Sequence, residues 1–94
     1  MLFKSHNILI VDDEKSILFS LKAALSKEGY QVKSAENPSE ALKLLEPGAF
    51  QVIISDYNMP GMSGMDFLKQ VKQIDPEAVF ILMTAYGSEK LAIE

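Results

Sequence analysis

Asn7-Ile-Leu-Ile-Val-Asp-Asp-Glu14 decides the fold class. Its apolar core, Ile8 to Val11, shows no polar alternation, which is the pattern of a strand buried on both faces in a parallel sheet covered by helices. The run breaks off in three acids, and Ile17, Leu18, Leu21, Ala24 and Leu25 then recur at helical spacing. Lys27 in the last turn and Gly29 just beyond it mark the helix stop. A buried strand that feeds directly into an amphipathic helix is the first half of a βαβ unit.

The same unit recurs along the chain. Tyr30 to Ala35 alternates weakly and reads as an edge strand, and Asn37-Pro38-Ser39-Glu40 is a helix start with Asn as cap, Pro in the first position and Glu in the third. Ala41, Leu42 and Leu45 supply that helix's stripe, and Pro47-Gly48 stops it. Gln51 to Ser55 is a third strand ending in Asp56, followed by the loop Asn58-Met-Pro-Gly-Met-Ser63. Phe67, Leu68, Val71 and Ile74 make a third helical stripe, closed by Asp75-Pro76. Val79 to Met83 is a fourth buried strand ending on Thr84, and Ser88 caps a fourth helix that begins at Glu89 and is still running at Glu94. The alternation predicts an α/β doubly wound parallel sheet with right-handed crossovers and helices on both faces.

The composition bounds the function. Ninety-four residues with a formal charge of −4, from nine Lys and thirteen acids, allow one domain over 1–94. There is no Cys, which excludes disulfide scaffolds and thiolate metal sites. No apolar run approaches the roughly 20 residues that a spanning helix needs, and Met1 to Ser5 lacks the apolar core of a signal peptide. A cytoplasmic protein without a membrane partner is expected. Every basic residue is Lys and none clusters, so the segment carries no electrostatic footprint for nucleic acid. His6, the lone His, reads as a solvated side chain near the N-terminus.

The chemistry sits at the strand ends, where open parallel sheets bind their ligands. The first strand ends in Asp12 and Asp13, the third in Asp56 and the fourth in Thr84, the only Thr of the chain. If the first and third strands are neighbours, three carboxylates converge. At ~5 Å and an effective dielectric near 20, each pair repels by about 3 kcal/mol. Such a pocket calls for a cation, and an all-oxygen donor set with waters suits Mg²⁺. A carboxylate beside Mg²⁺ can also act as a nucleophile and become an acyl phosphate. The competing reading is that Asp and Asn are ordinary turn and cap residues, with Asp12-Asp13-Glu14 held by the dipole of the following helix. That reading does not account for Asp56 at the end of a buried strand.

Three stretches together resemble the receiver domain of bacterial two-component response regulators: Ile8-Leu-Ile-Val-Asp-Asp-Glu14, Val52-Ile-Ile-Ser-Asp-Tyr-Asn-Met-Pro-Gly-Met-Ser-Gly-Met-Asp-Phe-Leu68 and Ile81-Leu-Met-Thr-Ala-Tyr-Gly87. The resemblance implies a flavodoxin-like sheet of order 2-1-3-4 and a signalling module rather than an enzyme. It implies that Asp56 accepts a phosphoryl group from a sensor histidine kinase. Mg²⁺ would be bound by Asp13 directly, by Asp12 mostly through water, and by Asp56 and the backbone carbonyl of Asn58. Thr84 matches the switch hydroxyl, and Ala85 leaves the pocket open. Tyr57, Asn58 and Tyr86 surround the entrance, Pro60 and Gly61 shape the loop, and Gly64 lets the next helix begin close to the sheet. The wording around Thr84 is most similar to receivers of regulators that carry an ATPase transcription-activating output domain.

The sequence departs from that family in one respect. The resemblance would place a fifth strand, with the lysine that pairs with the acceptor, and a fifth helix beyond Glu94, so this chain is expected to lack them, and Lys90 is not expected to replace that lysine. The expectations are weak phosphotransfer, an apolar fourth-strand edge left open, a bare sheet face beside the first helix, and self-association through one of these. Two other functions compete: a fragment that interacts or folds without phosphorylation, and a Mg²⁺-dependent phosphatase with an aspartyl nucleophile. The phosphatase chemistry would place two Asp one residue apart after the first strand, whereas Asp12 and Asp13 are adjacent.

Overall fold

The strand that opens the chain lies inside the sheet, with a partner on each side. In the computed structural model, which describes residues 6–83 and 91–93 and the side chains up to Met83, β1 (Asn7–Val11) pairs in parallel with β2 (Gln31–Ala35) on one side and β3 (Val52–Asp56) on the other. Leu9, Ile10 and Val11 are accordingly fully buried. β4 (Val79–Met83) adds in parallel to β3. The parallel strands therefore run in the order 2-1-3-4, as the strand signals and the family resemblance predict. β2 lies at the edge, and Gln31, Lys33 and Ser34 are exposed there.

The helices divide the sheet into two cores. α2 (Pro38–Leu44) and α3 (Gly64–Ile74) cover one face, where Ala41, Phe67, Leu68 and Val71 pack on Leu9, Val11, Ile53, Phe80 and Leu82. Phe67 and Phe80 meet edge to face, with ring centroids 5.6 Å apart at 65°. Among the described residues, α1 (Lys15–Lys27) alone covers the other face, placing Leu18, Leu21 and Leu25 over Ile8, Ile10, Val52 and Ile54. That cover runs out towards β4. Val79 is 41% exposed, whereas its neighbour Phe80, on the opposite face, is fully buried.

The predicted caps form. The Asn37 side chain accepts from Glu40 N–H at 2.8 Å with Pro38 in the first turn, and Ser63 Oγ accepts from Asp66 N–H at 3.1 Å at the start of α3. The amino end of the sheet is tied by side chains. Asn7 N–H donates to Gln51 Oε1 at 2.6 Å, and Asn7 Nδ2 donates to the Ala49 carbonyl at 3.2 Å. Buried Asp75 accepts from the backbone N–H groups of Gly48 and Glu77.

The expected fourth helix is corrected over its described part. Leu91–Ile93 form a short strand, β5, antiparallel to β4, with Ile81 opposite Ile93 and Met83 opposite Leu91. The edge of β4 expected to lie open is therefore occupied along Ile81–Met83. The physical reason is competition. An apolar strand edge offers a ladder of hydrogen bonds to a segment that includes β-branched Ile93, and that pairing overrides the helical signal. Thr84, Ala85, Tyr86, Ser88 and Lys90 lie outside the described residues.

Candidate functional site

The parallel register builds the site. Val11 stands opposite Ser55, so the next residues of the two strands, Asp12 and Asp56, leave the sheet side by side. Asp12 is 2% exposed. Its backbone N–H still donates to the Ala35 carbonyl of β2, and its Oδ1 accepts from Glu14 N–H at 2.8 Å, a turn that fixes the carboxylate over the start of α1. Asp13 is exposed and Asp56 half-buried. One carboxylate oxygen from each of Asp12, Asp13 and Asp56 lies within 4.8 Å of the others. The convergence expected from the strand ends is present. Asn58, the fourth expected ligand through its carbonyl, lies exposed in the loop two residues beyond β3.

The loop after Asp56 is clamped from both sides. Tyr57 N–H donates to the Met83 carbonyl at 2.8 Å, and Gly64 N–H donates to the Tyr57 carbonyl at 2.8 Å. Gly64 sits so close to the sheet that a Cβ there would lie 2.7 Å from the Asp56 carbonyl oxygen and 2.9 Å from Tyr57 Cα. Met59 is buried and anchors the loop from below, while Tyr57 is 39% exposed at the entrance.

The electrostatics of the pocket favour a cation. Burial pushes the Asp12 carboxyl up to about 6 against the ordinary 3.8; the Glu14 backbone N–H opposes this, and the charges of Asp56, Asp13 and Glu14 add to it. Asp56 is also raised, first by burial and then by Asp13, against the backbone N–H groups of Asn58 and Tyr57. A folded carboxyl raised above its unfolded value costs nothing below pH ~4, and its cost grows until the pH passes the folded value. For Asp12 that cost reaches about 3 kcal/mol at neutral pH. Without divalent ions, the chain should therefore gain stability relative to Asp12→Asn as the pH falls from 7 to 5. The amide retains the Oδ1 acceptor for Glu14. Urea unfolding of both proteins across that range measures the difference, and a constant difference would contradict it. The residues fit a hard divalent ion: three oxygen donors on two strands, too close for three free charges, with one donor facing solvent for retained waters.

Most of the site was readable from strand ends. The Asp12–Glu14 turn and the groove flanking Asp13 were missed; Asp followed two residues later by a helix start carries the first, and Pro38 and Pro60 in facing loops hint at the second. Among the described residues, no helix is long and apolar enough to cross a membrane.

The doubly wound parallel sheet carries, at its carboxyl end, three carboxylates that could hold a cation, and sequence comparison gives the class. Residues 8–94 match the family model of the response regulator receiver domain, and the chain belongs to that family. Among curated relatives it is 40% identical over 83 residues to the sporulation initiation phosphotransferase F of Bacillus subtilis, covering 88% of this chain and 67% of that protein. It is 38% identical to the DNA-binding transcriptional regulator NtrC of Escherichia coli over 92% of this chain but only 18% of the regulator. The chain thus spans about a fifth of the length of several longer relatives. Among solved structures it is similar to the response regulator TrrA of Thermotoga maritima in complex with Mg²⁺-BeF, with a TM-score of 0.77 and 39% identity over 86% of this chain and 70% of that one. TrrA in complex with the histidine kinase ThkA gives a TM-score of 0.79 and 42% identity, with the same coverage. The family places the chain in two-component phosphorelay signalling.

Proposed function

We propose that this chain accepts a phosphoryl group on the Asp56 carboxylate from the phosphohistidine of a sensor histidine kinase. The observation that carries the reading is the meeting of Asp12, Asp13 and Asp56 within 4.8 Å at the ends of two adjacent parallel strands. An Asp56 oxygen attacks phosphorus and a P–O bond forms. The P–N bond breaks, its electron pair stays on the imidazole nitrogen, and that nitrogen takes a proton. Asp12, Asp13, Asp56 and the Asn58 carbonyl would hold Mg²⁺. The bound ion would neutralise charge on the phosphoryl oxygens. Asp12, fixed by Glu14, orients the donor set, and the half-buried setting of Asp56 limits water around the acyl phosphate. Thr84 supplies the hydroxyl that donates to a new phosphoryl oxygen, so that phosphorylation biases the loops after β3 and β4 between two arrangements.

The Mg²⁺-BeF complex of TrrA and the TrrA–ThkA pair support the metal and the kinase as partners for this chain. The likeness to NtrC supports a transcriptional output as the reader of the signal, in the cytoplasm. Of the faces expected to drive self-association, the β4 edge is occupied by β5 along Ile81–Met83, and the sheet face around Val79 is thinly covered.

The test is chemical. Incubation with acetyl phosphate and Mg²⁺, followed by borohydride reduction, should convert the modified residue to homoserine. Peptide mass spectrometry should place that change at Asp56. Homoserine at Asp12 or Asp13 instead, or none under conditions that label an intact receiver, would reject the reading.

A further inference from the structure

A groove of about 830 Å³ lies beside the acidic site, between the loops that follow β2 and β3. Pro38, Pro60 and Met62 supply apolar walls, and Asp13, Glu36 and Glu40 give it an acidic rim. Only Asp13 is shared with the site already described. The chain also carries the matching shape. Phe19 of α1 is 77% exposed, the most exposed of the described large apolar side chains. Lys15 and Lys22, four residues before it and three after, are exposed on the same side of the helix. A lone surface Phe needs no explanation. A Phe flanked by two lysines, on a molecule that presents an apolar groove rimmed by three acids, is self-complementary.

We propose that Phe19 of a second copy of this chain docks in this groove, and that two such contacts close a twofold dimer. The placement favours closure over an open chain. Lys15 Nζ lies 3.9 Å from Glu36 Oε2, so the start of α1 touches the groove's rim and Phe19 follows one turn later. The two complementary patches are thus neighbours on one surface, and a twofold axis between them satisfies both contacts at once. The Lys15–Glu36 pair is solvent-exposed, with 80% and 50% of the two side chains accessible, so it exchanges readily for an equivalent pair across the interface. The interface uses neither the β4 edge nor the sheet face around Val79. It rests on α1 and the groove alone.

Sedimentation velocity of the whole chain tests this, with far-UV circular dichroism confirming that each variant is folded. A concentration-dependent dimer is expected at high-micromolar chain concentration, weakening as salt is raised towards 1 M, where the screening length falls to about 3 Å. Glu36→Lys with Glu40→Lys should be monomeric by itself, as should Lys15→Glu with Lys22→Glu. Mixed in equal amounts, the two should recover the dimer as a heterodimer, since both contacts regain opposite charges. Phe19→Ser should lose the dimer in the parent chain and, placed in both members, in the mixture. A monomer at every concentration overturns the proposal, as does a dimer that survives both charge reversals or a mixture that fails to associate. If a charge-reversed protein does not fold, Phe19→Ser decides alone, and an undiminished dimer in that variant rejects the interface.

Discussion

Asp56→Asn is expected to reduce phosphate incorporation from acetyl phosphate to the level of an unlabelled control while leaving the fold intact. The amide keeps the shape of the carboxylate but removes the nucleophilic oxygen anion, and neither Asp12 nor Asp13 replaces it. Asp12 is held by Glu14 N–H over α1, and Asp13 faces solvent. Stability should move the other way. The Asp56 carboxyl is raised in the folded chain, so the charged form carries a cost above its folded value, and the neutral amide removes that cost together with its repulsion of Asp12. The variant should therefore unfold at a urea concentration equal to or above that of the parent at pH 7 without divalent ions. It should also gain less from added Mg²⁺, because one of three donors has lost its charge. Labelled phosphate counting and paired urea titrations with and without Mg²⁺ check both halves. Full labelling in the variant would remove Asp56 from the acceptor role.

Gly64→Ala should be the most damaging small substitution at the site. A Cβ there meets the Asp56 carbonyl oxygen at 2.7 Å and Tyr57 Cα at 2.9 Å, both backbone atoms, as well as Leu82 Cδ1 at 2.7 Å, which can rotate away. The helix must back off from the sheet or the loop must shift, and the Gly64 N–H bond to the Tyr57 carbonyl is strained in either case. Overpacking of this kind costs about 3 kcal/mol. In a domain of this size that lowers Tm by roughly 15 °C. Because the crowded atom belongs to Asp56, Mg²⁺ stabilisation should fall as well. Gly61→Ala is the matched control. Gly61 has φ +88° but no neighbour within 4 Å, so its cost is backbone strain alone, about 1 kcal/mol, with the acid pocket unmoved. Thermal unfolding of the two variants with and without Mg²⁺ separates close approach from strain. Equal losses in both would contradict the close-approach account.

Much of this architecture was legible because burial and chemistry leave different marks. The non-alternating run Ile8–Val11 announces a strand covered on both faces, and the structure buries Leu9, Ile10 and Val11 completely. Val79–Met83 reads the same way, but it is fully covered on one face only: Phe80 and Leu82 are buried while Val79 is 41% exposed. Asn37-Pro38 announces a cap by local hydrogen bonding, which tertiary context seldom overrides. Asp12, Asp13 and Asp56 were readable as a cluster once the first and third strands were taken as neighbours, because strand register carries residues at the ends of adjacent strands to one place. The segment beyond β4 was misread for the opposite reason. Leu91–Ile93 are indifferent in local preference, and an available sheet edge decides between helix and strand. The groove at Glu36, Glu40 and Pro60 was illegible because it belongs to no element. It exists only where two loops far apart in sequence come to face each other.

The side-chain ties at the amino end of the sheet divide the molecule's obligations. Asn7, Gln51 and Asp75 spend their polar groups on backbone partners and hold the strands in line. At the carboxyl end, Asp12 and Asp56 work against cohesion, and neutralising substitutions there relieve the fold. Without a bound cation the charges of the rim therefore oppose folding rather than support it. The domain's function is a load carried by one end of the sheet and supported from the other.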